Sequence, residues 1–178
     1  MTSYSKRKLR FSVAMSLDGF IAGPKGEYDW IIQDPTIDFN ALFRQFDTVV
    51  MGRRTYDAML AQGHSPRLFG MRVFVVSTTL HPNQHPDVTI LRFKVAEAVA
   101  ELKEEEGKDI WLFGGGILFR SLLDSGLVDT VELSIIPVLL GDGIRLLPKG
   151  GRWPLHYVES NPLPSGILTI SYTASQAS

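Results

Sequence analysis

Apolar and polar positions fall in short blocks along this chain, and their period switches between two and about 3.6. Leu9 to Met15 predicts a first strand, followed by a Ser16-Leu-Asp-Gly19 turn and a second extended stretch, Phe20-Ile-Ala, that Gly23-Pro24 breaks. Phe39, Leu42, Phe43 and Phe46 recur at i, i+3, i+4 and i+7, which predicts a helix over 39–46. Thr48 to Met51 predicts a strand, Arg53 to Ala61 a helix, and Arg72 to Val76 another strand. A loop with two prolines, Ser77 to Asp87, leads to a strand over Val88 to Leu91. A helix follows over Val95 to Glu106, with Val95, Val99 and Leu102 inward and Glu104-Glu105-Glu106 solvated.

The next block is the most distinctive. Ile110, Trp111, Leu112 and Phe113 form a continuous apolar run, as an interior strand requires. Three glycines follow, Gly114 to Gly116, and then Ile117, Leu118, Phe119 and Leu122 recur at helical spacing. Val128 to Val138 is strongly β-forming. The Gly- and Pro-rich segment 141–161 holds a strand near His156 to Glu159, and Ile167 to Thr173 is a closing strand. This order predicts one α/β domain over 1–178, with a three-layer α/β/α build and a mostly parallel sheet that ends in an antiparallel C-terminal strand.

Composition narrows the chemistry. At 178 residues, 44% of them hydrophobic, the chain can bury a full core, and a net charge of −1 gives no general affinity for nucleic acid or an anionic membrane. The absence of cysteine excludes disulfides, thiolate zinc sites and a thiol nucleophile. Met1 to Arg10 is polar and basic, and Ser16 and Asp18 interrupt the apolar residues after it, so no signal-peptide core is expected. No apolar run approaches the roughly 18 residues of a membrane span, and a cytoplasmic protein is expected. His64, His81, His85 and His156 are scattered without metal-ligand spacing, so no metal is expected.

Two glycine-led junctions carry candidate chemistry. At Gly114 to Gly116 a strand passes into a helix over three residues without Cβ, leaving helix N–H groups open to a phosphate or pyrophosphate; a tight packing turn is the plain alternative. At Gly52-Arg53-Arg54-Thr55 a strand ends and a helix begins at once, with a hydroxyl in the first turn and two guanidinium forks beside it. That combination suits a phosphate, such as the 2′-phosphate of a dinucleotide, whereas either arginine alone reads as a solvated charge. No G-x-G-x-x-G is present, so this is not a Rossmann fingerprint.

These junctions lie within a longer series: Ser12-Val-Ala-Met-Ser-Leu-Asp-Gly-Phe-Ile-Ala22, Val50-Met-Gly-Arg-Arg-Thr-Tyr56, Val75-Val-Ser-Thr-Thr-Leu80, Leu112-Phe-Gly-Gly-Gly-Ile117 and Glu132-Leu-Ser-Ile-Ile-Pro-Val-Leu-Leu-Gly-Asp-Gly143. In this order, over nearly the whole chain, the series resembles the dihydrofolate reductase-like superfamily, and within it the riboflavin-biosynthesis reductase domain and its stand-alone relatives. The resemblance implies NADPH as cofactor. It places Gly52, Arg53, Arg54 and Thr55 on the adenine-side phosphates, and Ser77 and Thr78 on the 2′-phosphate or adenosine. Gly114, Gly115, Gly116 and Ile117 would lie along the pyrophosphate and nicotinamide ribose, with Ala14 and Ile21 flanking the nicotinamide.

The resemblance implies a reductase that moves a hydride to a C=N or C=O carbon of a small heterocyclic, carbonyl or imine substrate. An intermediate of the riboflavin pathway, 5-amino-6-(5-phosphoribosylamino)uracil, is one candidate; a dihydrofolate reductase is an alternative. A proton must also reach the substrate. Asp18 and Asp38 are the candidate acids: Asp18 either faces the cleft or closes an Asx turn, and Asp38 either serves catalysis or caps the helix after it. Asp34 is a further acid near that helix start. Trp30 and Ser134 are expected beside the substrate, Asp142 in a turn. Residues Ile135, Ile136, Val138, Leu139 and Leu140 carry more apolar surface than one sheet face needs, and relatives in this branch pair as homodimers, so a dimer through the C-terminal half is expected. A non-catalytic NADPH-binding protein on the same scaffold is the competing reading.

Overall fold

Ten strands and four α-helices follow one another among residues 6–65, 67 and 70–174, which the computed structural model describes. In chain order they are β1 (Leu9–Ser16), β2 (Phe20–Ala22), α1 (Phe39–Phe43), β3 (Phe46–Gly52), α2 (Arg53–Ala61), β4 (Arg72–Val76), β5 (Thr89–Leu91), α3 (Val95–Glu104), β6 (Asp109–Leu112), α4 (Gly116–Asp124), β7 (Thr130–Ile136), β8 (Ile144–Arg145), β9 (Leu155–Pro162) and β10 (Leu168–Ala174). Eight strands form one sheet in the order β5-β4-β3-β6-β1-β7-β10-β9. The six from β5 to β7 are mutually parallel, and β10 runs antiparallel to both β7 and β9. The expected mostly parallel α/β sheet with an antiparallel C-terminal strand is therefore the observed one.

Alternation along β3 assigns the two faces. Val50 points into a core with Leu9, Phe11, Ile110 and Leu112, covered by Val99 and Leu102 of α3 and Leu118, Phe119 and Leu122 of α4. Val49 and Met51 point the other way, into a core with Val73, Val75 and Trp111, covered by Tyr56 and Met59 of α2 and flanked by Leu42 and Phe43 of α1. In the first core Phe11 and Phe119 stack with ring centroids 3.7 Å apart, which fixes α4 over β1. In the second, Trp111 donates its ring N–H to Ser12 O at 3.0 Å and packs among Phe43, Phe46 and Phe113.

Several boundaries depart from the periodicity. The helix predicted over 39–46 stops at Phe43, and Phe46 opens β3. Its ring is wanted in the sheet, 5.7 Å from Trp111 and 4.6 Å beneath the Arg10 guanidinium, and tertiary packing outweighs the i+7 spacing. Helix α3 ends at Glu104; Glu105 turns extended and accepts a hydrogen bond from Arg72 at 2.6 Å. Ile117, placed with the inward residues of α4 by its spacing, is 73% exposed. The Gly- and Pro-rich segment holds the expected strand, as β9, and also the unexpected two-residue β8, which pairs with β2 away from the main sheet. Among the described residues no helix is long and apolar enough to cross a membrane.

Candidate active-site cleft

Strands β3 and β6 run side by side, with Val50 opposite Leu112, and both pass through glycine into a helix. Gly52 starts α2 with an extended backbone and no side-chain cap. Gly114 and Gly115 hold φ of 113° and 90°, a region that L side chains rarely adopt. A Cβ on either would stand 3.7 Å from Thr55 Oγ1, and one on Gly115 also 4.0 Å from Gly52 N. The two junctions therefore meet at Thr55. A helix start leaves N–H groups without intrahelical partners, and here two helix starts lie side by side with the Thr55 side chain where they meet. Gly116 is placed by a different constraint: a Cβ there would come within 2.8 Å of Arg145 O and 2.9 Å of Leu146 O, so that backbone rests directly on the start of α4.

The segment that follows β7 closes the other side of the cleft. Leu17 N donates to Val138 O at 2.9 Å, Leu146 N to Gly19 O at 3.0 Å, and β2 pairs with β8. Asp18 is the staple of this wall. Its carboxylate accepts from the Ser16 hydroxyl (2.6 Å), Leu140 N (3.1 Å) and Gly141 N (2.7 Å). These donors, the Ser16 hydroxyl first, hold the Asp18 carboxyl down to about 2. It is ionised at neutral pH, and its oxygens are engaged by the wall. Asp142 accepts from Gly143 N at 2.8 Å, as a turn residue does.

The other acids are also engaged. Asp38 caps α1 by accepting from Ala41 N at 2.9 Å. Asp34 is buried; it accepts from Thr36 N and Ser165 N, ties the loop before α1 to the β9–β10 turn, and is held well below the usual carboxylate range by Ser165 and Thr36. Ala14 and Ser134 are lateral neighbours on β1 and β7, and both are half-buried. Ile21 is half-buried in β2. Trp30 is half-buried in the loop between β2 and α1, its ring N–H donating to Glu27 O at 3.0 Å.

Toward the β5 edge the surface turns basic. Arg53 pairs with Asp57 at 3.2 Å and donates to Thr79 Oγ1, while Arg54 is exposed with no ion pair among the described residues. Ser77 is buried, and its hydroxyl accepts from Thr79 N and Leu80 N, so it shapes the turn after β4; Thr78 is exposed. Arg92, which no sequence motif marked, donates from Nη2 to Thr78 O at 2.8 Å. Its buried Nε has no acceptor among the described residues, a deficit worth about 1–3 kcal/mol.

A cavity of about 500 Å³ lies at the opposite end of the sheet, lined by Asn40, Phe43, Arg44, Phe46, Asp47, Gly70, Met71 and Lys108. Asn40, Phe43 and Arg44 belong to α1 and its end, and the others stand at the N-terminal ends of β3, β4 and β6, away from Gly52 and Gly114 to Gly116. In open α/β sheets ligands bind beyond the strand C-termini, so the glycine-led cleft is the better candidate despite the volume of this cavity.

The RibD C-terminal domain family matches the chain over residues 7–169. The uncharacterized protein YyaP of Bacillus subtilis (strain 168) is 34% identical over 179 residues, which cover 94% of this chain and 95% of its own. The crystal structure of a putative riboflavin biosynthesis protein from Shewanella sp. PV-4 aligns with a TM-score of 0.82 at 26% identity, over 95% of this chain and 99% of its own. Dihydrofolate reductase from Enterococcus faecalis, solved with NADP(H), aligns with a TM-score of 0.71 at 20% identity, over 95% and 97%; that likeness is one of fold.

The wall supplies a stability test. The Asp18 carboxyl sits below its ordinary value of 3.8 in the folded chain, so its contribution is present above that pH and is lost as pH falls toward 2. Asp18→Asn should lower Tm at pH 5–7, and the difference from wild type should shrink steadily between pH 4 and pH 2. A pH-independent difference in scanning calorimetry would mean that charge on Asp18 does not hold the wall.

Proposed function

The chain belongs to the RibD C-terminal domain family, and on that premise we propose that it is an NADPH-dependent reductase of a small heterocyclic, carbonyl or imine substrate. The family and its structural neighbours give it a reductase-like scaffold. The observation that carries the cofactor reading is the meeting of two open helix starts at Thr55, with the arginines of α2 beside them. Thr55 and the backbone of Gly52 and Gly114 to Gly116 hold the pyrophosphate. Arg53, Arg54 and Thr78 serve the 2′-phosphate side, and Ser77 sets the turn that presents Thr78. Ile117, exposed in the first turn of α4, lies along the nicotinamide ribose, and Ala14 and Ile21 flank the ring. When bound, the nicotinamide supplies the hydride.

Substrate then lies over the C-terminal ends of β1 and β7, near Ser134 and Trp30; a pyrimidine of the 5-amino-6-(5-phosphoribosylamino)uracil type is the leading class. Asp18 acts by positioning the wall and Asp38 by capping α1, and the proton comes from water admitted with the substrate. The engagement of these carboxylates also supports the second reading, a non-catalytic NADPH-binding protein. In the same proposal the protein is cytoplasmic and forms a homodimer through its C-terminal half. The exposed Leu139, and Tyr157 and Val158 on edge strand β9, supply apolar surface for that contact.

Calorimetric titration tests the cofactor reading. NADPH should bind at least about tenfold more tightly than NADH, or roughly 1.4 kcal/mol. Arg53→Ala should weaken NADPH about ten- to hundredfold with little effect on NADH; equal losses for both would remove Arg53 from the 2′-phosphate. NADPH oxidation across a panel of pterins and pyrimidines then separates enzyme from binder, since turnover of no compound by a protein that binds NADPH favours the binder. Light scattering at two concentrations should give twice the chain mass at the higher one, and a constant monomer mass would refute the dimer.

A further inference from the structure

We propose that the substrate of this chain carries an apolar group in place of a phosphate, and that Leu17, Tyr28, Ile32 and Phe39 form the lip that receives it. This rests on the reductase reading above, keeps its pyrimidine and narrows the class to unphosphorylated forms. Four segments surround the C-terminal ends of β1 and β7: residues 17–19, 23–38, 137–143 and 163–166. Contacts between them close them into one rim. Leu17 N donates to Val138 O at 2.9 Å, and Leu140 N and Gly141 N donate to Asp18, which ties the first segment to the third. Ser165 N donates to Asp34 at 3.1 Å, which ties the second to the fourth. The fourth packs on the third, since a Cβ at Gly166 would stand 3.5 Å from Pro137.

The rim is apolar and acidic. Leu17 is 62% exposed, Phe39 46%, Tyr28 44% and Ile32 42%, so the fold leaves four large apolar side chains uncovered along it. Phe39 opens α1 and stacks on Phe43 at 6.0 Å, and Phe43 lies 5.4 Å from Trp111, which anchors that end of the lip in the core. The Trp30 ring N–H is spent on Glu27 O, so its indole adds apolar surface. In these four segments, all of them described, Asp18, Glu27, Asp29, Asp34, Asp38 and Asp142 are carboxylates and Lys25 is the one cation. Just beyond them, the Arg145 guanidinium lies over the Phe20 ring at 5.3 Å, and Arg44 stands at the far end of α1. A phosphate carries about two negative charges at neutral pH. Here it would leave water without a guanidinium fork to receive it and would meet like charge. An apolar group gains instead by covering Leu17 and Phe39.

Calorimetry of the intact protein saturated with NADPH tests this with a matched pair, 6-(benzylamino)uracil and 6-(4-phosphonobenzylamino)uracil, which differ by one phosphonate. The benzyl compound should bind at least about tenfold more tightly. Leu17→Ser and Phe39→Ser, both at exposed positions, should each weaken it about five- to thirtyfold. Asp29→Lys should tighten the phosphonate about two- to tenfold, less so at high salt, and leave the benzyl compound unchanged. Equal or tighter binding of the phosphonate by wild type overturns the inference, and so does a benzyl affinity that neither serine variant lowers. A lower mass by light scattering in either serine variant, with benzyl affinity intact, would assign the lip to a contact between chains instead. A wild type that binds NADPH and neither compound overturns this inference alone. One that binds no NADPH overturns the reductase reading with it.

Discussion

A helix start can receive an anion only if nothing stands in front of its N–H groups, and here two helix starts must stay clear at once. Parallel pairing of β3 with β6 sets them one strand apart, and glycine at the ends of both strands lets the junctions close on Thr55. Any side chain at Gly114 or Gly115 meets a backbone conformation that resists it, whatever the free space. The cleft thus follows from strand order and from the absence of Cβ atoms more than from charged residues. The arginines of α2 stand beside a place that the backbone has already defined.

The opposite wall depends on the same junction. Gly116 allows the backbone of Arg145 and Leu146 to lie on α4, and that contact brings the segment after β7 back over the end of β1. Asp18 then joins the turn after β1 to Leu140 and Gly141 through charge-assisted hydrogen bonds. The Asp18 carboxylate is an ionic pin of that loop crossing. This assigns its conformational role to the anion and explains why the Ser16 hydroxyl is spent on it.

Much of this was legible in the chain, and the failures share a cause. Helix Arg53–Ala61 and strand Arg72–Val76 match their predicted bounds because glycine or a period change marks each edge. The two glycine junctions were legible as separate motifs, but that they meet at Thr55 depends on β3 pairing with β6 across some 60 residues. Phe46 was drawn into a helix by spacing alone, since nothing local announces its place beside Trp111. Strand β8 has two residues, too few for any period, and exists because β2 offers an edge. Asp18 bonds to residues more than 120 positions away, so an Asx turn was the limit of a local reading. Arg92 follows a three-residue strand with no motif around it; only the neighbouring position of β4 gives its guanidinium a purpose.

Hydrogen–deuterium exchange of the intact protein, with and without saturating NADPH, tests the dinucleotide cleft most directly because it reports position as well as binding. The segments around Gly52 to Tyr56, Ser77 to Leu80 and Gly114 to Leu118 should all slow together, while β9, on the far edge of the sheet, should exchange as before. Protection confined to the residues around Phe46, Met71 and Lys108, or absent from both glycine junctions while NADPH is bound, would contradict the placement of the ligand at the strand C-terminal ends.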